Sequence, residues 1–338
     1  MSVRRATIID VAAHAGVSWK TVSRVMNREP NVRPETTARV EAAMRALDFQ
    51  PNSAARSLAG ARSFLIGVIA ENPSAHYINA LQRGGSQACR AHGYHLALEQ
   101  GSISTPEALA EFERTIANSR FDGVVISPPN TDNTDLLDLL DRHGVRYVRL
   151  APATDVDRSD SIFAEDAMGV AELARHLWQL GHRKLAIVEG PDSHSASHLR
   201  LGGFLDEIEQ LGGDREAVRR IGGDFSFASG FQSGRRLLST DDRPDAIFAC
   251  NDEMAAGVVA AAGDLGVRVP DQLAVAGFDD SEVAGLVWPP LTTVRQPIEE
   301  FARLGVEMLI NAKKDDPPRR VVCPVELVVR RSTVAGGV

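Results

Sequence analysis

At 338 residues, 43% hydrophobic and 24% charged, the chain has room for two or three domains and a composition that excludes disorder and collagen-like structure. No apolar run approaches the roughly 18 residues of a membrane span, and the basic start lacks the apolar stretch of a secretory signal. Three dispersed cysteines (Cys89, Cys250, Cys323) form neither a disulfide framework nor a zinc pattern. These features predict a reduced, cytoplasmic-type protein with no cofactor, no metal and no membrane partner. The formal charge of −8 hides an asymmetry: residues 1–62 hold ten basic and five acidic side chains, a net +5, which leaves −13 on the rest. A small basic head on an acidic body points to a polyanion contact at one end.

The first fifty residues read as three short helices. Thr7 is a good N-cap with Asp10 three residues on, as in a capping box, and IIDVAAHA then runs to a stop at Gly16. Ser18 caps a second helix, WKTVSRVMN, whose Val22, Val25 and Met26 can face the first. Trp19, Lys20, Thr21 and Arg24 then point outward. A third helix begins at Pro34-Glu35 and runs through Val40, Ala43, Met44 and Leu47. Two short helices around a glycine turn, the second polar and basic, form a helix-turn-helix. Lys20 and Thr21 can hydrogen-bond to base edges in a major groove, Arg24 to a guanine edge or a phosphate, and Trp19 can pack on sugar or a thymine methyl. The competing reading is an ordinary helical hairpin with solvated basic residues. PNSAARSLAGARS follows, with helix-forming residues but too few to hold a helix unaided.

From Ser63 onward, strand-like runs alternate with helical ones. FLIGVIA (64–70), a helix from about Ile78 to His92, YHLALEQ (94–100), GVVISP (123–128) and YVRLA (147–151) form one set. A second set starts near Phe163, with KLAIVEG (184–190), AIFACN (246–251) and LAVAGFD (273–279). The fold class expected is therefore an all-α helix-turn-helix head plus a two-lobed α/β body with mostly parallel sheets, with ligands beyond the strands' carboxyl ends. Candidate ligand residues fall at such ends: Arg200, Phe225, Asn251 with Asp252, and Asp279. Tyr77 and Asn79, at the start of a helix in the first lobe, would face the same cleft. Asp accepts from vicinal hydroxyls, Arg and Asn donate, and an aromatic face covers the C–H side, which together suit a sugar. Helix N-capping is the competing role for Asn251 and Asp279. His194 and His198 have no third metal-ligand partner at a suitable spacing and read as solvated or ligand-rim histidines. No GxSxG elbow, P-loop or GxGxxG after a strand is present, so no enzyme signature stands out.

TIIDVAAHAGVSWKTVSRVMN and VRPETTARVEAAMRALDFQPNSAARSLAG, then FLIGVI, LRLGGF (199–204), CNDEMAAG (250–257) and VAGFDDSEVAGLVWPPLTTVRQP (275–297), follow in order. Over essentially the whole chain this resembles the LacI/GalR family of transcription repressors. The resemblance implies a periplasmic-binding-protein-like body whose chain crosses between lobes near 161, 291 and 322. The domains expected are a head at 1–49, a hinge at 50–62, a first lobe at 63–161 with 292–322, and a second lobe at 162–291 with 323–338. The helix 296–313 would belong to the first lobe and VELVVR (325–330) to the second. For operator DNA the resemblance implies Thr7, Ser18, Trp19, Lys20, Thr21, Ser23, Arg24, Asn27, Asn52 and Arg56, with Leu58 as a minor-groove wedge. For an effector it implies Tyr77, Asn79, His194, Arg200, Phe225, Asn251 and Asp279. Many relatives have a polar residue where Ala151 stands, which puts carry-over around Arg149 to Pro152 in doubt.

The function expected is a carbohydrate-responsive repressor, released from a near-palindromic double-stranded operator by a small mono- or disaccharide. The alternative within the family is a purine-responsive, co-repressed regulator, for which an Arg and a Thr would stand where this chain has His194 and Ala196. A solute-binding protein or a sugar-processing enzyme is disfavoured. No C-terminal leucine heptad follows the last strand, so a homodimer is expected.

Overall fold

A computed structural model describes residues 6–26, 32–49, 62–313 and 316–334. The chain divides into two units, Met1–Phe64 and Leu65–Val338. Asn27, Asn52, Arg56 and Leu58 lie outside the described residues.

The first unit contains α1 (Ile8–Ala15), α2 (Trp19–Met26) and α3 (Pro34–Ala46). The capping box at the start of α1 forms: Asp10 N–H donates to Thr7 Oγ1 at 3.4 Å, and Thr7 N–H donates to Asp10 Oδ2 at 2.7 Å. Gly16 ends α1 at φ 63, the left-handed conformation that lets the chain turn sharply into α2 without a Cβ penalty. Val11, Val22 and Val40, one from each helix, are fully buried and form the centre of a small core with Ala12, Ala15, Val25 and Ala43. The heptad-like spacing of these apolar residues is what fixes the three helices against each other.

The second unit holds two parallel sheets. The first has strand order β11-β5-β4-β3-β1-β2, built from β1 (Leu65–Ala70), β2 (His95–Gln100), β3 (Gly123–Ile126), β4 (Tyr147–Leu150), β5 (Asp160–Ala164) and β11 (Arg320–Cys323). Its register is parallel throughout. The helices α4 (Ala75–His92), α5 (Pro106–Ser119) and α6 (Thr134–Arg142) connect its strands, and α12 (Ile298–Asn311) returns late in the chain to pack on α4 and β3. The second sheet has order β7-β6-β8-β9, also parallel, from β6 (Leu185–Glu189), β7 (Arg219–Gly222), β8 (Ala246–Ala249) and β9 (Ala274–Ala276). Its helices are α7 (Asp166–Gln179), α8 (Ser195–Gln210), α9 (Phe227–Leu238), α10 (Asp252–Asp264) and the short α11 (Glu282–Leu286). A two-stranded antiparallel pair, β10 (Thr293–Arg295) with β12 (Glu326–Val328), completes the unit.

The strands are continuous apolar runs because helices cover both faces: Val124, Val125 and Ile126 in β3, and Ala246 to Ala249 in β8, are fully buried. Two readings change. The strand through Phe163 does not open the second set; β5 pairs with β4 and β11 in the first sheet. A four-residue apolar run has no periodicity that names its neighbours, so only packing decides its sheet. β7 (RRIG) and β11 (RVVC) were not expected, because arginine at a sheet edge breaks the apolar signal. Among the described residues no helix is long and apolar enough to cross a membrane.

Candidate functional site

In the head, α2 carries its apolar side inward and its polar side outward. Val22 and Val25 are buried, whereas Ser18, Lys20 and Arg24 are exposed and Trp19 is 53% exposed. A large indole left in water by a helix with a well-filled core marks a contact surface more than a packing accident. Lys20 Nζ lies 5.9 Å from the Trp19 ring centroid, and Ser18 Oγ accepts from Thr21 N–H at 3.2 Å to cap the helix. Thr21 and Ser23 are half-buried at the flank of this face, and Thr7 is exposed at the start of α1. The N-terminal turn of α2 thus collects polar donors and one aromatic, the arrangement that reads base edges from a major groove.

In the second unit a cleft opens where the strands of both sheets end. From the first sheet's side it is lined by Asn72 after β1, Tyr77 near the start of α4, and Leu150 with Ala151 at the end of β4. From the second sheet's side come His194, Ala196 and Arg200 around the start of α8, Phe225 before α9, Asn251 after β8 and Asp279 after β9. Carboxyl-end loops of parallel strands converge there because every strand of a parallel sheet points the same way.

Arg200 organises the cleft. It is 5% exposed, and its Nε donates to Asp166 Oδ1 at 2.7 Å while Nη1 donates to the Cys250 carbonyl at 2.7 Å. Nη1 also stands 3.9 Å from Asp279 Oδ1, and the guanidinium lies 3.7 Å from the Phe278 ring centroid. Asp279 in turn accepts from Gln296 Nε2. Burial pushes the Asp279 carboxyl up to about 7, opposed by the neighbouring Arg200. Burial, with Arg200 adding to it, holds His194 down to about 4, so its imidazole is neutral near pH 7. His194 Nδ1 lies 3.2 Å from Ser193 Oγ, and its buried Nε2 has no hydrogen-bond partner among the described residues.

Phe225 sits at φ 67, a conformation unfavourable for a residue with a side chain. Two contacts hold it: Asn251 Nδ2 donates to the Phe225 carbonyl at 2.9 Å, and the His194 ring meets its edge at a centroid distance of 5.2 Å. Glycine at 190 makes this possible, since a Cβ there would lie 2.5 Å from the Phe225 ring and 2.4 Å from Ser197 Oγ.

Two expectations need correction. Asn79 is exposed and does not line the cleft, because residues 77 and 79 lie about 200° apart on a helix and Tyr77 takes the inner side. Asp252 is fully buried but outside the lining; it accepts from Ser281 N–H at 2.7 Å and Thr293 Oγ1 at 2.6 Å, a bracket between loops. His194 is the N-cap of α8 and lines the cleft, while His198 lies within α8 and is exposed. Asn251 combines both roles considered for it, since its Oδ1 accepts from Met254 N–H to cap α10 while the residue lines the cleft. Asp279 caps no helix; Ser281 precedes α11. Sequence reasoning missed Asn72, Asp166 and Gln296. Asp166 alone had a partial signal, as the second of two carboxylates, Glu165 and Asp166, that follow SIFA.

The three-helix head matches the model of bacterial regulatory proteins of the lacI family over residues 7–52, and residues 174–333 match a periplasmic binding protein-like domain. The chain is 32% identical over 307 residues to the ribose operon repressor of Escherichia coli (strain K12), covering 90% of this chain and 92% of that protein. The lac repressor dimer bound to operator and the anti-inducer ONPF is similar in structure, with TM-score 0.77 and 30% identity over 98% of this chain and all of that one. A transcriptional regulator CelR–cellobiose complex gives TM-score 0.73 and 29% identity over 97% of this chain and 100% of that chain. A helix-turn-helix head followed by a binding-protein-like body is the architecture these matches share. The chain belongs to the LacI family of bacterial regulatory proteins.

Proposed function

We propose that this protein is a sequence-specific DNA-binding repressor of carbohydrate-utilisation genes that leaves a near-palindromic operator when a small sugar occupies the body cleft. The observation that carries the effector half is the Asp166–Arg200–Asp279 arrangement beside the Phe225 ring. Carboxylates accept from sugar hydroxyls, the guanidinium donates, and an aromatic ring covers an apolar sugar face. Similarity to a ribose operon repressor and to a cellobiose-bound regulator supports the same reading. The purine reading is weaker, because His194 and Ala196 stand where it needs an Arg and a Thr.

The DNA half rests on α2, with Thr7, Ser18, Trp19, Lys20, Thr21, Ser23 and Arg24 as contacts, extended by Asn27, Asn52, Arg56 and the wedge Leu58. Two heads on a homodimer would read the two half-sites, as the dimeric lac repressor on its operator suggests. The body divides into two lobes close to the expected bounds, 63–161 with 292–322 and 162–291 with 323–338, with the crossings moved a few residues so that all of β5 and β11 stay in the first lobe. The sugar acts by binding one arrangement of these lobes better than the other, and it shifts DNA affinity only by that difference. We read the protein as cytoplasmic, as the sequence leads one to expect, and as not an enzyme: Asp166 bonds Arg200 and Asp279 bonds Gln296, and neither is set against the other as an acid–base pair.

The test is an operator-binding titration of the full chain with and without candidate sugars. Release of operator DNA by one sugar is the expected result. Retention with every sugar, together with tighter DNA binding on adding a nucleobase, would reverse the sign and the effector class.

A further inference from the structure

The cleft holds more negative than positive charge, and its one cation is already matched. Among the described lining residues the ionisable groups are Tyr77, Asp166, His194, Arg200 and Asp279. Asp166 neutralises Arg200 at 2.7 Å, and Asp279, about half ionised near pH 7, adds a second carboxyl at 3.9 Å. A guanidinium has five N–H donors, and two of them donate within the chain, to Asp166 and to the Cys250 carbonyl. The others remain suited to a neutral oxygen acceptor. His194 supplies no second positive charge, because burial keeps it neutral near pH 7.

The helix ends around the cleft do not make up the deficit. Asn251 caps α10, whose first turn already carries Asp252 and Glu253, and Ser74 caps α4. α8 is the one of these helices without a side-chain cap: its N-cap His194 provides none, its Ser197 amide donates to the His194 carbonyl at 2.9 Å, and no cation besides the matched Arg200 stands among the described lining residues to assist it. Phosphate sites of this kind of fold need open amides or unmatched cations. An anion entering here would shed its hydration and meet Asp166 and Asp279 with no unpaired positive charge to receive it. Hydroxyls face no such cost: they donate to the two carboxylates, accept from Arg200, and can pair with the buried, unpartnered Nε2 of His194.

We infer that the cleft selects an uncharged, hydroxyl-bearing effector and excludes the phosphorylated and carboxylated forms of the same compound. The inference rests on the carbohydrate reading for the identity of the ligand, while the charge selection follows from the cleft itself.

Isothermal titration of the full chain near neutral pH tests it with matched pairs: ribose and ribose 5-phosphate, glucose and glucose 6-phosphate, galactose and galacturonate, cellobiose and cellobionate. Adenine and AMP form a set without the sugar reading, with adenosine run alongside so that the effects of the ribose and of the phosphate are read separately. The expected result is one neutral sugar that binds, with its anionic partner weaker by about a hundredfold or more. An anionic member that binds as well as its neutral partner overturns the inference. Adenine binding in place of every sugar, with AMP excluded, sinks the carbohydrate reading and upholds the charge selection. AMP binding as tightly as adenine sinks both, and so does a chain that binds no member of the panel.

Discussion

Ser74 Oγ donates to Glu253 Oε1 at 2.6 Å, a hydrogen bond between the first turn of α4 on the first sheet and the first turn of α10 on the second. The same hydroxyl accepts from Tyr77 N–H at 3.3 Å and caps α4. Glu253 Oε2 accepts from Asn251 Nδ2 at 3.0 Å, so one carboxylate ties a first-sheet helix to a cleft residue of the second. Glu253→Ala removes this tie while leaving the Ser74 and Asn251 caps in place. Effector affinity should fall about tenfold, the loss of one or two charge-assisted hydrogen bonds. Isothermal titration checks this, and unchanged affinity would mean that the tie does not serve the ligand-bound arrangement.

Asp279 gives the protein a pH dependence whose sign can be worked out. Its carboxyl is raised to about 7 by burial, against a usual carboxylate value near 4. The folded chain therefore holds a proton that the unfolded chain has released between about pH 4 and pH 7. Stability of the ligand-free protein should decline across that window, and Asp279→Asn should remove this part of the slope in urea titrations. A sugar hydroxyl donating to Asp279 favours the ionised form. Effector affinity should accordingly rise from about pH 6 to pH 8, by at most about tenfold per unit, and the Asn variant should flatten the profile. An affinity that falls with pH would place the proton, not the carboxylate, in the ligand contact.

Arg149 is fully buried at the end of β4 and binds the loop that follows it. Nε donates to Ser159 Oγ at 3.0 Å, Nη1 to the Thr154 carbonyl at 3.0 Å, and Nη2 to the Asp155 carbonyl. Asp132 holds the same loop from outside, accepting from Ala153 N–H at 2.9 Å and Thr154 N–H at 3.0 Å. Between these two anchors Ala151, at φ 45, turns its carbonyl to accept from Ser195 Oγ at the start of α8. Arg149→Met keeps the bulk and removes all three donations, leaving the Asp155 carbonyl only its bond from Arg158 N–H. A loss of about 2–4 kcal/mol is expected in urea unfolding. Lys at this position should recover little of it, because an ammonium cannot reproduce the planar fork.

On DNA, Arg24→Ala should weaken operator binding by about 1–3 kcal/mol if Arg24 reads a base, and relax preference at one operator position. Leu58→Ala should also weaken operator binding. Both variants should keep the effector affinity of the parent chain. Mobility-shift titrations against a set of operator variants, paired with calorimetry of the sugar, separate these effects. Equal operator affinity for the Leu58 variant would remove its role as a wedge.

Much of the head and of the body's alternation was legible in the chain itself. The Thr7–Asp10 box, the Gly16 stop and the 3.6-residue apolar spacing of Val22, Val25 and Met26 are local signals, and each element forms close to where they put it. Asn251 and Asp279 stand out in the sequence because each follows an apolar strand run, whereas Arg200, inside α8, and Phe225, after the unexpected β7, were named from the family resemblance. Asn79 could not be rejected in the same way, since its distance from the cleft depends on which side of α4 the sheet covers.

The order of residues along the chain thus speaks to local features: helix starts and stops, strand runs, the +5 head on a −13 body, and side-chain chemistry fit for hydroxyls. Only the tertiary structure decided that β5 joins the first sheet, that Asp166 and not Asp252 shares the cleft with Arg200, and that Asn72 and Gln296 reach it. The physical reason is range. Propensity, capping and periodicity act within a few residues, whereas strand neighbours and ion-pair partners such as Asp166 and Arg200, 34 positions apart, are chosen by the packing of the whole sheet.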